Sequence, residues 1–200
     1  MFKMIRYKEE LMDIKQMLEE RKRFNDYIDN CKFETPEEVA RLFKEYTNLI
    51  WDKKLVGLCY DFYTDDIVIH REGGVTAIGY EGVIAATLSF MASFPNLKFQ
   101  FLDIFAEGNP EDGYRFGQSL YYVGENNGYS SYGEPTGKTM SPDDNLCLGL
   151  CECLVKKVEG RWKIVEEWLV RSGDALEEIM TKDKTEEESV AISAELEVEA

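Results

Sequence analysis

The chain has 200 residues, of which 44% are hydrophobic and 12% aromatic, and its formal net charge at pH 7 is −16. That length predicts one domain with appendages, large enough to bury a substantial core. The acidic balance argues against a nucleic-acid or membrane partner, because both would repel it, and no apolar run approaches the roughly 20 residues of a membrane span. Five cysteines, an odd number, fit a reducing cytoplasmic location better than a disulfide framework.

The first thirty residues have the pattern of a helix. Apolar residues repeat at alternating gaps of three and four, at Met4, Tyr7, Leu11, Ile14 and Leu18. This narrow stripe suits one partner helix or one groove, so it either seals the domain in cis or pairs two subunits. We assign residues 1–34 to an N-terminal helical extension. Residues 182–200, which are acidic and lack apolar periodicity, are expected to form a disordered tail.

Three more helices and a short strand are predicted before the main sheet. The first helix begins at Thr35-Pro36-Glu37-Glu38, which combines a capping box with proline in the first turn, and it ends near Trp51. The two further helices are predicted at residues 54–60 and 80–93, and the short strand between them at residues 67–70.

Four strands with one long connection complete the domain. They are predicted at residues 97–107, at 114–123 and in the two arms of a hairpin over 146–171. A loop rich in Gly, Asn, Ser and Pro, residues 124–145, connects the second of these strands to the hairpin. Helices first and consecutive strands last predict an antiparallel α+β fold for residues 35–181.

The hairpin carries the candidate chemistry in its second arm. The first arm is apolar on both faces, so both must be covered. Strict alternation in the second arm puts Lys163, Val165, Glu167, Leu169 and Arg171 on one face and Trp162, Ile164, Glu166, Trp168 and Val170 on the other. Glu167 and Arg171 therefore share an otherwise partly apolar face. With their Cα atoms about 13 Å apart, they would bracket a small polar ligand rather than pair directly.

Five motifs in this order suggest a family. They are FYTDDIVIH (62–70), IGYEGV (78–83), FPNLKF (94–99), PTGKTM (135–140) and RWKIVEEWLVR (161–171). Together they resemble the nuclear transport factor 2-like superfamily, in its SnoaL-like polyketide cyclase branch, over about residues 35–180. The resemblance implies a cystatin-like α+β roll, in which helices wrap a curved antiparallel sheet into a cone with an apolar pocket, commonly in a dimer packed through the sheet. We therefore predict a homodimer through an apolar patch comprising Leu146, Leu148, Leu150, Trp162, Ile164 and Trp168.

The resemblance implies an acid/base mechanism whose residues are altered here. Cyclases of this branch use an aspartate just after the tryptophan of the last strand, assisted by nearby histidines. In this chain Leu169 follows Trp168 and Glu167 precedes it, while the preceding strand has Cys151 and Cys153 where a histidine is expected. The resemblance thus carries the fold more directly than the mechanism.

We predict that Glu167 acts as a base, with its pKa raised by an apolar wall. His70, the only histidine, or Asp103, which alternates with phenylalanines, would assist it, and Arg171 would hold a developing anion. The alternative for Glu167 is a structural ion pair with Arg115, Lys163 or Arg171, and the alternative for His70 is a structural role. The further ligand-binding candidates are Leu169, Trp51, Tyr63, Cys151 and Cys153.

No metal and no cofactor are expected. Cys147 and Cys151 lie about 13 Å apart on a strand, too far to share one ion. Two functions remain open. The first is a domain that binds a mostly apolar small molecule carrying a polar group and catalyses isomerisation, cyclisation or hydration. The second is a non-enzymatic binding or dimerisation module with a vestigial pocket. A cavity with two or more ionisable groups would favour the enzyme, and one filled by Phe and Leu the module.

Overall fold

In the part of the chain that the structure describes, five α-helices pack against one curved sheet of seven strands, so the predicted α+β class is confirmed. The structure, a computed structural model, describes residues 13–182. The helices are α1 (Ile14–Asn30), α2 (Pro36–Trp51), α3 (Leu58–Phe62), α4 (Tyr80–Ser93) and α5 (Gly173–Met180). The strands are β1 (Tyr63–Arg71), β2 (Thr76–Ile78), β3 (Lys98–Asn109), β4 (Gly113–Glu125), β5 (Thr139–Met140), β6 (Leu148–Val158) and β7 (Arg161–Arg171). Within the described range, no helix is long and apolar enough to cross a membrane.

The sheet places the C-terminal strand at its centre. The strand order is β2-β1-β7-β6-β4-β3, with β5 beside β4. Neighbouring strands run antiparallel except β1 and β7, which are parallel. The strands β1 and β7 are the first and the last in the chain, so this parallel pair brings the two halves of the chain together.

Helix α2 starts as the sequence predicts. The Thr35 hydroxyl accepts a hydrogen bond from the Glu38 backbone N–H, and the Glu38 carboxylate accepts one from the Thr35 N–H. This confirms the capping box, which satisfies two backbone donors that the first turn leaves free. The buried face of α2, which includes Leu42, Phe43 and Tyr46, packs into the main core with residues of β4 and β7.

Helix α1 packs through a different face from the predicted stripe. It begins at Ile14, with Asp13 as N-cap, so Met4, Tyr7 and Leu11 lie outside the described residues, as does the tail from residue 183. Ile14 and Leu18 are 76% and 60% exposed and do not seal the domain in cis. The face that packs onto the core carries Met17, Phe24 and Ile28, because these positions share a side of the helix.

Residues of α1 are part of the same core as the helices after residue 35. The Phe24 ring lies 5.8 Å from the Tyr46 ring and 5.9 Å from the Phe62 ring. On the rim, Arg21 donates two hydrogen bonds of 2.6 Å to the Asp61 carboxylate of α3. The segment from Ile14 therefore completes the domain's aromatic core.

An extra residue in β7 changes which side chains face inward. Opposite β6, Leu154 pairs with Glu166 and Val155 with Ile164, so Val165 is bulged. Trp162 and Ile164 are consequently buried on the same side as Glu167. The predicted alternation, which put those two residues on the dimer face, is wrong for this half of the strand.

The outer face of the sheet still carries an apolar surface, which we call the outer patch: Phe105, Leu148, Leu150 and Val170. Leu150 and Val170, paired across β6 and β7, are 53% and 52% exposed. Contiguous exposed apolar side chains on a sheet face mark an association surface.

We expect Phe24→Ala to lower the free energy of unfolding by about 3–5 kcal/mol, because it leaves a cavity in the aromatic cluster. Leu18→Ala, on the exposed side of the same helix, should change it by less than about 0.5 kcal/mol. Urea unfolding followed by tryptophan fluorescence measures both. Equal, small effects would show that α1 is only an appendage.

We expect the chain to form a homodimer through the outer patch, because association would remove these side chains from water. Light scattering at micromolar concentration should give twice the chain mass for the wild type and the chain mass for Leu150→Asp. Leu18→Asp is the matched control on α1 and should remain dimeric. A monomeric wild type contradicts the expectation, and a dimer lost only in Leu18→Asp assigns the interface to α1.

Candidate functional site

A cavity of about 80 Å³ lies between the inner face of the sheet and helices α2 and α4. Its apolar wall includes Phe43, Ile50, Val83, Phe99, Phe116, Leu120 and Ile164. Its ionisable and polar wall comprises Arg71, Arg171, Glu167, Tyr46, Tyr63, Tyr122, Thr47, Gln118 and three cysteine thiols. The cavity is thus lined by apolar rings and by more than two inward-facing ionisable groups.

Seven of the predicted site residues lie in this wall. They are Trp51, Tyr63, Cys151, Cys153, Glu167, Leu169 and Arg171. The Val165 bulge accounts for the position of the last three, since each second residue after it points inward. Their roles in binding or catalysis remain predictions.

The structure places His70 outside the cavity, contrary to its predicted position at the site. It precedes Arg71 and follows Ile69, both of which line the cavity, so alternation along β1 turns His70 to the outer face. There its Nε2 lies 2.8 Å from Glu166 Oε1, and its ring stacks on Trp168 at 5.4 Å. His70 is therefore a partly exposed structural residue on the opposite side of the sheet from Glu167.

The structure also places Asp103 outside the cavity, contrary to its predicted position at the site. The pairing of β3 with β4 shifts between Phe101 and Asp103, so Leu102 is an extra residue. The shift reverses the alternation that the phenylalanines suggested, and Ile104 packs on the core in place of Asp103. Asp103 is exposed, and its carboxylate accepts a hydrogen bond from the Ile104 backbone N–H.

Glu167 is buried and bonded to a hydroxyl rather than to a cation. Its side chain is 5% exposed, and the Tyr63 hydroxyl donates a 2.6 Å hydrogen bond to Oε2. Among the described residues, no Lys, Arg or His nitrogen lies within 4.0 Å of its carboxylate, so the alternative of a direct ion pair is not what the structure shows. Burial raises the pKa of Glu167, while the Tyr63 hydrogen bond and the charges of Arg171 and Arg71 act in the opposite direction.

Two arginines face Glu167 across the cavity. Arg71 ends β1 and Arg171 ends β7, and the Nε atom of each is buried without a hydrogen-bond partner. The Arg171 guanidinium lies over the Phe90 ring, with its central carbon 5.2 Å from the ring centroid. Next to it, Gly149 has no side chain to obstruct the Tyr122 hydroxyl, since a Cβ there would lie 2.5 Å from that oxygen.

Cys151 and Cys153 are adjacent on the inner face of β6, with sulfur atoms 3.8 Å apart. Together with a Glu167 oxygen they form a group whose ligand atoms all lie within 4.8 Å of one another. The hydrogen bond with the Cys151 sulfur and burial raise the pKa of Cys153 well above its ordinary value, which favours the neutral thiol of Cys153. We therefore describe the two residues as a thiol pair in the cavity wall.

Sequence reasoning missed six ionisable or polar residues of the wall: Tyr46, Cys59, Arg71, Tyr122, Thr47 and Gln118. The last two form a buried pair, with Gln118 Nε2 donating to Thr47 Oγ1 over 3.2 Å. Arg71 had a detectable signal, because it follows Ile69 by two in a strand and so shares its face. Thr47 and Gln118 had none, because only the packing of α2 on β4 brings them together.

We expect Glu167→Gln to be at least as stable as the wild type at pH 7. The folded state holds the Glu167 proton more tightly than the unfolded chain, so the wild type loses stability as pH rises from about 4.3 through the folded pKa, and glutamine does not. The difference in unfolding free energy should therefore grow with pH over this window and vanish below it. Glu166→Gln, on the outer face, is the control. A loss of several kcal/mol in Glu167→Gln at neutral pH would instead show a buried ion pair losing a member.

The fold matches that of solved polyketide cyclase-like proteins. A proposed SnoaL-like polyketide cyclase from Jannaschia sp. CCS1 superposes with a TM-score of 0.52 at 14% identity, covering 70% of this chain and 92% of its own. A proposed polyketide cyclase from Acidithiobacillus ferrooxidans gives 0.51 at 14% identity, covering 68% and 90%. A third, from Bacillus cereus ATCC 10987, gives 0.51 at 18% identity, covering 70% and 80%.

At the sequence level, no family model and no curated protein matches the chain. Identities below one fifth carry the fold and leave the activity open. Over about 70% of its length the chain therefore has the α+β fold of these solved SnoaL-like and polyketide cyclase-like structures, which agrees with the fold that the five motifs suggested.

Proposed function

We propose that the protein is an acid/base enzyme in which Glu167 removes a proton from a carbon next to a carbonyl group of a small molecule. The observation that carries the proposal is the buried Glu167 carboxylate, held by one hydroxyl and facing two arginines across a cavity. A carboxylate without a direct cationic partner in an apolar wall is a stronger base than one in water, because burial disfavours its charge.

Position in the strand supports this role. Residue 169, where the resemblance implies the cyclase aspartate, lines the cavity, and Glu167 is the preceding inward-facing residue of the same strand. Two residues along a strand is about 6.6 Å. Glu167 thus provides a carboxylate one inward-facing position before residue 169. Residue 169 itself, where the resemblance implies an aspartate, is the apolar Leu169.

The residues divide the reaction between them. The Glu167 carboxylate takes the proton and becomes a carboxylic acid, and the electron pair of the C–H bond moves onto the carbonyl oxygen to form an enolate. The guanidinium of Arg171 stabilises that oxyanion. Glu167 then returns the proton to another atom of the same molecule, which gives isomerisation. Alternatively, the enolate carbon attacks a second carbonyl of that molecule and the resulting alkoxide takes the proton back from Glu167, which gives cyclisation. The Tyr63 hydroxyl holds the carboxylate in place throughout.

The test is proton exchange in D₂O, followed by NMR, with a panel of ketones and oxo acids. We expect the wild type to accelerate exchange of the acidic C–H, and Glu167→Gln to reduce the rate at least about a hundredfold, the scale of a lost general base. Glu166→Gln and Asp103→Asn, both outside the cavity, should retain the wild-type rate.

A wild type that accelerates no exchange across the panel would contradict the proposal. In that case the second function, a binding or dimerisation module without catalysis, becomes the better description. The cytoplasmic location also stays a prediction, with five free thiols as its structural counterpart.

A further inference from the structure

We propose that the cavity takes a compact monocarboxylate, held between the guanidinium groups of Arg71 and Arg171. The orientation of this ligand rests on the proposed function, which would place the acidic carbon of a 2-oxo or 3-oxo acid toward Glu167. The recognition of its carboxylate does not depend on that function.

The two arginines are brought together by the parallel strand pair. Arg71 pairs in register with Leu169, so it lies two residues from Arg171 on the neighbouring strand and on the same inner face. With strands about 4.8 Å apart and about 3.3 Å per residue, the two Cα atoms are about 8 Å apart. Side chains of this length converge easily on one carboxylate, whose two oxygens match the fork of a guanidinium.

Most arginines of the described residues have a carboxylate partner. Arg21, Arg23, Arg115 and Arg161 each have a carboxylate oxygen within 4.0 Å. In the described part of the chain, the exposed Arg41 has none, and neither do Arg71 and Arg171, which line the cavity, although the protein carries 39 acidic residues. A half-buried cation without an anion in direct contact is costly, and Glu167 can offset only one of the two charges, so the pair indicates that a further anion comes from a ligand.

The charges of the wall define the charge of this ligand. With Glu167 ionised, the two arginines and the carboxylate add up to one positive charge, which a monocarboxylate neutralises. Arg171 already packs over the Phe90 ring, and the Tyr122 hydroxyl lies against Gly149, the residue paired with Arg171 across β6 and β7. The binding groups are therefore held in place before the ligand arrives.

The volume of the cavity defines its size. About 80 Å³ is roughly half of a cavity that holds benzene, and a water molecule occupies about 30 Å³ in the liquid. A carboxylate of a few heavy atoms fits without rearrangement of the wall. The ligand is thus shorter and more polar than the mostly apolar molecule that the sequence suggests.

The test is calorimetric titration with acetate, pyruvate and acetoacetate, each against a neutral counterpart: acetamide, pyruvamide and acetoacetamide. We expect the acids to bind at one site per chain, and their amides at least about tenfold more weakly. Arg71→Met and Arg171→Met should each weaken acid binding by about 10- to 150-fold, the scale of a lost charged hydrogen bond, and leave amide binding unchanged. Arg171→Lys should recover only part of the loss, because lysine keeps the charge without the fork.

Arg115→Met, on the outer face, is the matched control and should bind like the wild type. Equal affinity of acids and amides for the wild type overturns the inference without any variant, as does unchanged acid binding in both arginine variants. Glu167→Gln separates the two proposals, because it should abolish exchange and retain acid binding. Acid binding with no exchange in the wild type leaves this inference intact and overturns the proposed function. Exchange of neutral ketones without acid binding overturns this inference and leaves the proposed function intact.

Discussion

One extra residue in the last strand decides what faces the cavity. Without the bulge at Val165, the inward positions that bury Trp162 and Ile164 would continue through Glu166, Trp168 and Val170, and Glu167 would lie in water. With the bulge, the first half of β7 contributes Trp162 and Ile164 to the core. The second half contributes Glu167, Leu169 and Arg171 to the cavity wall. Bulges often re-aim side chains next to sites, and this one both protects the core and exposes a carboxylate to the cavity.

The sequence predicts the architecture well, because helix caps and apolar periodicity are local. Thr35 and Glu38 predict the start of α2, and the inward faces of Cys151 and Cys153 follow from alternation alone. The cavity residues Glu167, Leu169 and Arg171 also fall where the alternation of the second half of β7 places them. These predictions succeed because each depends on one strand or one turn of helix.

The predictions that fail cross a register shift or a packing choice. Strict alternation through Leu102 predicts that Asp103 faces inward, and it fails because β3 has its bulge there. Trp162 and Ile164 fail for the same reason in β7. On α1, the spacing of Ile14 and Leu18 is as regular as that of Phe24 and Ile28, and only the position of the aromatic cluster decides which face is buried. Only the pairing of β1 with β7 brings Arg71 close to Arg171, and the sequence pattern does not predict that pairing.

The parallel pairing of β1 with β7 also has a consequence for how the chain is made. Tyr63 and the Glu167 that it holds are 104 residues apart, and β7 lies at the centre of the sheet. A ribosome therefore releases α1, α2 and β1 long before the strand that covers them exists, and their apolar faces wait for it. Contacts so distant in sequence are slow to close, since loop entropy must be overcome before they are formed. The cavity wall cannot be completed until residue 171 has been synthesised, because β7 supplies Glu167, Leu169 and Arg171.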